Sequence, residues 1–493
     1  MKEQSKLSKV LSILLSVVLV VSSFYLLYQV IRLNVLPSKF LFPLTIGVVV
    51  LDAIFILLLI YFSKNVVSKI ICIVLTLFIC VATCMGGYYI SKTQGALSNI
   101  TNVAKHAKNT VSVIVKESNS IKNKSQLNGV SVGSLRLNEQ GSKKVLKELS
   151  SEGIVLNQTE YDSMTALLEA FYNGEVDSII INESSRSQIL DMEAYSNFDS
   201  NTRVVYQTSY KVKNNDSATS VSDITSKPFN VLISGSDTRG GFDENGRSDV
   251  IMIATVNPKT HTILLTSVPR DFYVTTACDA GDGCMQGALD KITHTGIHGT
   301  NTTKRTVEQL LGIEINYTFK VGFDTVTELV DVLGGVDVYV EPGYATTTSE
   351  FSVHEGVNHL NAQQALAFAR ERYSYTEGDR QRTKNQQQVL MGIVKEATKP
   401  SVITNYAAIM DTMANTFSTT MSNAEITDLI KYQLNNNPTW KMEQYMVDGK
   451  GDTLMCAELG DAASVMVPDQ STVKMAKDKI NAVLAGKSSE DVK

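Results

Sequence analysis

The sequence predicts an α/β protein with a membrane part, and three observations carry that prediction. Long apolar runs fill the first ninety residues. Behind them, short apolar strands alternate with segments of helical period. A polar stretch rich in Ser, Thr and Asp at residues 213–228 then divides this second part in two. At 493 residues the chain exceeds the usual length of one domain. The expected organisation is three N-terminal transmembrane helices, a small accessory α/β domain and a larger C-terminal domain with helices on both faces of its sheet.

The apolar runs span residues 10–31, 41–62 and 69–90, each close to the roughly 20 residues that cross a bilayer as a helix. A cleaved signal peptide accounts only for the first, and no small-residue cleavage site follows it. Lys2, Lys6 and Lys9 precede the first run; Arg32 and Lys39 lie in the first connector, Lys64 and Lys69 in the second. This balance favours a cytoplasmic N-terminus. Three spans then make a multi-pass cell-membrane protein with everything from about residue 92 outside. Asp52 falls inside the second run, where a functional role competes with that of a polar partner between helices.

Residues 92–110 are polar and helix-compatible and read as a stalk. The accessory domain, residues 111–212, shows strands VSVIV, DSIIIN and TRVVYQT and helices SKKVLKELSSEG and SMTALLEAFYNGEV, both stopped near a glycine. Nothing in it has catalytic spacing. After the 213–228 linker, the C-terminal domain occupies residues 229–486. It opens with strands NVLISG, DVIMIATV and HTILLTSV. Helices follow at TKRTVEQLLG, FDTVTELVDVLG, AQQALAFA, KNQQQVLMGIVKEA, AAIMDTMANTF and NAEITDLIKYQL. Two further strands and a helix over residues 472–485 close it. The polar tail 487–493 is expected to be disordered.

Composition excludes some functions. A net charge of -5 gives no global basic field for nucleic acid. The six cysteines form no CxxC pair. Cys278 and Cys284 flank a Gly/Asp-rich loop; a disulfide between them requires an oxidising compartment and suitable loop geometry, and the sequence leaves it open. His294 and His298 have the i, i+4 spacing of zinc ligands on a helix, but Gly296 and Gly299 interrupt any regular helix there.

Three clusters carry chemistry. The loop GSDTRGGFDENGRSD, residues 235–249, follows a fully apolar strand, and ligand sites in α/β sheets lie at such strand ends. Asp237 and Asp249 flank it, and two carboxylates that leave positions to water and phosphate suit magnesium. Arg239 and Arg247 lie between them. The second cluster is VPRDFYV, with Arg270 and Asp271 at the end of the HTILLTSV strand; it joins the first only if the strands run suitably. The third is ALAFARERYSYTEGDRQRTKNQQQ, residues 365–388. Arg370 and Arg372 reach one anion only if a helix ends near Ala369 and the chain extends. Asp379, Arg382 and Gln386 share one face of a helix starting near residues 376–378. Guanidinium groups stay charged and bind phosphate oxygens in a bidentate way, so Arg270, Arg370, Arg372 and Arg382 with a divalent cation match the charge of a pyrophosphate.

Taken in order, NVLISGSDTR, GRSDVIMIATV, LTSVPRDFYV, DKITHTG, FDTVTELVDVLGGVDV, HLNAQQALAFARER and GDRQRTKNQQQVL resemble the successive motifs of the LytR-CpsA-Psr family. The resemblance is strong over residues 229–400 and loose beyond. The three spans and the extra α/β domain are similar to the streptococcal branch encoded in capsule or exopolysaccharide loci. The resemblance implies an α/β/α domain around a central mixed sheet, and an apolar pocket for a polyprenyl pyrophosphate. It implies a phosphotransferase that moves a capsular or exopolysaccharide glycan phosphate from that lipid to peptidoglycan, with other assembly proteins as further partners. Carried over by position, Asp237 and Asp249 hold Mg²⁺ (or Mn²⁺). Arg270, Arg370, Arg372 and Arg382 grip the pyrophosphate with Gln386 beside them. Arg239, Arg247, Lys291 and Asp379 are secondary candidates, and Asp249 and Asp271 are the choices for general base. Competing expectations are a membrane-bound regulator of capsule expression or polymer length, a pyrophosphatase that uses water as acceptor, and a non-catalytic scaffold.

Overall fold

A computed structural model describes residues 6–62, 65–103, 106–213, 216–236, 244–279, 283–399, 408–414 and 417–492. Asp237, Arg239, Lys2, Lys64 and Lys105 lie outside the described residues. The chain forms two compact units.

The first unit comprises residues 1–99, 398–414 and 422–438. Its helices are α1 (Lys6–Leu33), α2 (Ser38–Leu57) and α3 (Val66–Val103). Candidate spans within them are Lys9–Leu33, Ser38–Phe62 and Val66–Thr101, each long and apolar enough to cross a membrane. Ile13, Phe42, Ile46 and Phe78 are exposed; an apolar surface of this extent suits lipid rather than water. Asp52 takes the polar-partner role: its Oδ1 accepts a hydrogen bond from Ser23 Oγ of α1 at 2.9 Å. The helix Asn423–Asn436 starts at a capping box in which Ser422 Oγ accepts from Glu425 N. It belongs to this unit, not to the C-terminal domain in which the sequence placed it. Lys431 Nζ donates to Asn34 Oδ1 at 2.8 Å, and Lys39 Nζ to Asn435 O at 2.7 Å. Its half-polar pattern gave no sign of that association.

The second unit holds both α/β domains. The accessory domain runs β1 (His106–Lys116), β2 (Ser131–Leu135), α4 (Glu139–Ser151), β3 (Asn157–Tyr161), α5 (Met164–Asn173), β4 (Ser178–Asn182), α6 (Arg186–Asp191), α7 (Phe198–Asn201) and β5 (Thr202–Lys213). The strand order is β3-β2-β4-β1-β5, with β2 parallel to β3 and β4 and the remaining pairs antiparallel. On one face Val145 and Leu149 of α4 meet Val111, Val113 and Val115. On the other, Leu167, Leu168 and Phe171 of α5 meet Ile179 and Ile181. Ser163 caps α5 through Ala166 N at 3.2 Å. Residues 92–103 of the expected stalk are helical, as the reading had them, and continue α3; from His106 the chain is already β1.

In the C-terminal domain, β6 (Phe229–Ser236), β7 (Ser248–Asn257) and β8 (Thr262–Val268) form an antiparallel meander. The short β9 (Tyr273–Thr275) and β10 (Leu289–Lys291) pair with each other, and α8 (Thr300–Leu311) leads to β11 (Tyr317–Gly322). Then come α9 (Phe323–Leu333), β12 (Val336–Val340), β13 (Thr346–Thr347), β14 (Ser352–Val353), β15 (Gly356–Leu360), α10 (Ala362–Arg370) and α11 (Asp379–Ala397). The strands β16 (Phe417–Thr419), β17 (Lys441–Met446), β18 (Gly449–Cys456) and β19 (Asp461–Pro468) precede the helix Gln470–Leu484. The central sheet is six-stranded and mixed, in the order β16-β11-β6-β7-β8-β17, with β11 parallel to β6 and β17 parallel to β8. On one face, Val473, Ala476 and Ile480 of the last helix and Val307 of α8 pack against Leu232, Ile253 and Leu264. On the other, α9, α10 and α11 share a core with β12 and β15 through Val330, Val336, Ala365, Phe368 and Val389.

The linker from residue 216 is irregular, as its composition suggests, but pinned: Asp216 Oδ2 accepts from Thr318 Oγ1 at 2.5 Å, and Thr219 N donates to Asn316 O. The tail is a correction. Residues 489–491 form a 3₁₀ turn, and Ser489 is buried with its N–H donating to Glu443 Oε2 at 2.8 Å.

Candidate functional site

Strand direction brings the sequence clusters to one end of the sheet. Because β7 runs antiparallel to both neighbours, its start faces the ends of β6 and β8: Gly235 pairs with Val250 and Ile251 with Val268. Asp249, second in β7, therefore sits beside Arg270, which follows the end of β8 after Pro269. Arg270 Nη1 donates to Asp249 Oδ1 at 2.9 Å, and Thr293 Oγ1 donates to the same oxygen at 3.3 Å. Arg270 Nε also lies 3.8 Å from Asp271, whose other oxygen is 3.4 Å from Lys291 Nζ at the end of β10. Arg247 Nε lies 3.9 Å from Asp249, and its Nη1 pairs with Asp191 at the end of α6 in the accessory domain.

The third cluster reaches the same place through α10 and α11. Helix α10 ends at Arg370, and Glu371 is extended with φ -69° and ψ 127°, the break that the Arg370/Arg372 spacing demanded. Arg372 is half-buried and lies over the Tyr373 ring at 4.7 Å. Arg370 is exposed at the helix terminus. Helix α11 starts at Asp379, which pairs with Arg382 one turn on. Buried Gln387 locks α11 over the sheet, donating to Ser267 Oγ and Tyr445 O at 2.9 Å each. Gln386 is half-buried on the same helix.

The electrostatics show what the site lacks. Burial opposes the charge on Arg270, but Asp249, Asp271 and Asp379 outweigh it and hold the guanidinium above its ordinary value. Arg382 goes the other way. Burial is the largest cause and pulls it below its ordinary value; Asp379 and Asp249 act against this, and Arg270 and Arg372 act with it. Both Arg270 and Arg382 leave Nε without a hydrogen-bond partner among the described residues. Arg270 and Arg382 thus each keep a donor unspent, with Arg372 near enough to Arg382 to repel it, an arrangement stabilised by a multiply charged anion.

A divalent cation also fits. Among the described residues no three acidic, His or Cys side chains gather into a protein-only cage. Mg²⁺ does not need one: it uses one or two carboxylates, waters and substrate phosphate. Asp249 accepts both of its hydrogen bonds at Oδ1, which leaves Oδ2 for a metal beside the arginines.

Some residues were not singled out as pyrophosphate-site candidates in the sequence. Thr293 orients Asp249 from inside the DKITHTG motif. Asp290 and His294 form a buried pair at 2.7 Å behind Lys291, and His298 pairs with Glu458 at 2.9 Å. Each histidine is thus committed to its own carboxylate. Asp191 approaches the site from a different domain, and no sequence pattern signals it. Cys278 and Cys284 are disulfide-bonded, with Cα atoms 6.1 Å apart.

The profile of the LytR_cpsA_psr family matches residues 194–482. A relative in Bacillus cereus (strain AH820), called polyisoprenyl-teichoic acid–peptidoglycan teichoic acid transferase TagU, is 31% identical over 241 residues, covering 48% of this chain and 76% of that protein. The protein of the same name in Bacillus subtilis (strain 168) is 35% identical over 196 residues, 40% of this chain and 60% of its own length. The crystal structure of B. subtilis TagU aligns with a TM-score of 0.40 at 28% identity, over 52% of this chain and 97% of that one.

Proposed function

The chain belongs to the LytR-CpsA-Psr family, and on that premise we propose that it is a membrane-anchored phosphotransferase that attaches a polyprenyl-pyrophosphate-linked glycan, a capsular or exopolysaccharide, to peptidoglycan. The observation that carries the reading is the gathering of Arg270 against Asp249 with Arg382 beside both and Arg372 next to Arg382, where the Nε donors of Arg270 and Arg382 have no hydrogen-bond partner among the described residues. Relatives named as polyisoprenyl-teichoic acid–peptidoglycan transferases support the reaction class.

In this reading the guanidinium groups of Arg270, Arg372 and Arg382 bind the pyrophosphate, and Arg370, Arg247, Lys291 and Gln386 flank it. Asp249, with Asp237, holds Mg²⁺ (or Mn²⁺), which when bound neutralises phosphate charge. A peptidoglycan hydroxyl attacks the phosphorus that bears the glycan. The new P–O bond forms as the bond to the bridging oxygen breaks, and prenyl phosphate leaves. Asp249 Oδ1 is already committed to Arg270 and Thr293, so Asp271, about one-third exposed, is the better placed acceptor for the hydroxyl proton. Phosphoryl transfer of this kind depends on positioning and charge stabilisation rather than on a protein nucleophile. Three spans, the lysines before the first of them and the Cys278–Cys284 disulfide all support an extracytoplasmic location for the soluble domains.

The test is reconstitution of the full chain in detergent with lipid-linked glycan, Mg²⁺ and peptidoglycan. A glycan–phosphate–peptidoglycan product is expected. Free glycan phosphate with acceptor present would make the protein a pyrophosphatase, and an unconsumed lipid would leave only the scaffold or regulator.

A further inference from the structure

Arg247 lies between two carboxylates from different domains. Its Nη1 pairs with Asp191 at the end of α6, and its Nε is 3.9 Å from Asp249 Oδ1, too far for a hydrogen bond. That Nε has no partner among the described residues. We propose that Asp191 is a positioning residue: by holding the Arg247 guanidinium, the accessory domain keeps it off Asp249 and leaves that carboxylate open to the divalent cation. The proposal rests on the reading of Asp249 as a metal ligand.

The backbone around Arg247 is fixed. Ser248 is buried, and its Oγ shares hydrogen bonds with Ser234 Oγ at 2.9 Å and Thr303 Oγ1 at 3.0 Å. Gly296 packs so closely that a Cβ there would lie 2.5 Å from both Gly246 O and Ser248 N. Just upstream, buried Glu244 accepts from Thr110 Oγ1 and pairs with Lys108 Nζ at 3.3 Å, both on β1 of the accessory domain. Lys320 Nζ donates to its carbonyl. The accessory domain thus brings a cation to Glu244 and an anion to Arg247, a pairing of opposite polarities that fixes one docking register. What can still move is the Arg247 side chain, and its partner decides where it points.

Charge makes the choice of partner matter. The Arg247 and Asp249 side chains are nearly buried, so their attraction is weakly screened, whereas Asp191 is more than half exposed. Besides Asp191, Asp249 is the only carboxylate that pairs with Arg247 among the described residues. Without Asp191, a small side-chain rotation turns the 3.9 Å approach into a hydrogen bond. Arg270 and Thr293 already occupy Oδ1. The freed guanidinium therefore takes Oδ2, the oxygen left for the metal, and sets its own positive charge beside it.

The test is a double-mutant cycle read by titration calorimetry of Mn²⁺ into the full chain in detergent, with a short prenyl pyrophosphate at saturation. Asp191→Ala should bind Mn²⁺ about tenfold more weakly, the low end of what loss of an outer partner costs a metal site. Its melting temperature should stay close to wild type, since the side chain is largely in water. Asp191→Ser carries the same expectation should Asp191→Ala fold poorly. In an Arg247→Met background the same substitution should cost nothing further, because no guanidinium remains to be released. Unchanged Mn²⁺ affinity in a folded Asp191 variant overturns the proposal. So does an equal loss in both backgrounds, which would mean that Asp191 acts only through its own charge. A wild-type protein that takes up no Mn²⁺ overturns the metal reading of Asp249 itself, an outcome distinct from either.

Discussion

Arg382 is the residue whose removal separates binding from stability most sharply. It is 14% exposed, paired with Asp379 and crowded by Arg270 and Arg372. Replacement by Met keeps an unbranched apolar stem and deletes the guanidinium and its charge. A hydrogen bond to a charged group contributes about 1.5–3 kcal/mol. Loss of one bidentate phosphate contact therefore costs about 3–4 kcal/mol after competition from Asp379, a fall in affinity on the order of 10²- to 10³-fold. The apo fold responds in the opposite sense. Burial of the guanidinium and repulsion from two neighbours disappear, while Asp379, 31% exposed, keeps its access to water. Loss of such a partly exposed pair is worth no more than about 1 kcal/mol. Arg382→Met should thus melt at or above the wild-type temperature and yet bind a short prenyl pyrophosphate at least 100-fold more weakly, on the order expected above. Calorimetry and thermal unfolding of the same preparation read both. Wild-type affinity combined with a large drop in melting temperature would make Arg382 a structural residue and refute the reasoning.

Asp249→Asn keeps an acceptor for Arg270 and Thr293 but removes the charge; Mg²⁺ affinity measured by activity titration should fall by more than about 100-fold, beyond what loss of an outer partner costs. Glu443 is buried, and although burial acts to raise its pKa, Lys441, Ser489 and Ser488 bring it down from 4.5 to about 2. A depressed carboxylate stabilises the fold above its ordinary pKa, so this contribution should be intact at pH 7 and lost as pH falls from 4.5 towards 2. Glu443→Gln should cost about 2–3 kcal/mol in urea unfolding at neutral pH and flatten that acid limb. The Cys278–Cys284 bridge closes a short loop, with a separation of 6 residues; reductant should lower the stability of the wild-type protein by about 2 kcal/mol and leave the double Cys→Ser variant unmoved.

Where a periodic pattern met a defined face, the sequence was readable. The i, i+3 spacing of Asp379 and Arg382 became an ion pair on the first turn of α11. Helix α10 ends at Arg370, which meets the condition under which Arg370 and Arg372 point to one side. The apolar strands β6, β7 and β8 announced themselves because both of their faces are buried. Edge strand β3, NQTEY, did not, since it is largely exposed and carries no apolar run. The polar residues after residue 91 were readable as helix-compatible and do continue α3 to Val103, whereas the strand that starts at His106 carries no signal before Val111. The helix Asn423–Asn436 has an ordinary amphipathic sequence, and its membership of the first unit depends on lysine contacts that no local pattern encodes. The same holds at the site. Asp249, Arg270 and Arg382 were visible as charged residues at strand ends and on a helix face. Asp191 was not, because it belongs to a domain brought there by tertiary packing.

The central claim is that three distant arginines form one pyrophosphate site, and a structure of the protein with a prenyl pyrophosphate and Mg²⁺ tests it most directly. Phosphate oxygens should lie within hydrogen-bonding distance of Arg270, Arg372 and Arg382, with the metal on Asp249. A pyrophosphate bound at another surface, with these guanidinium groups turned away from it, would contradict the account.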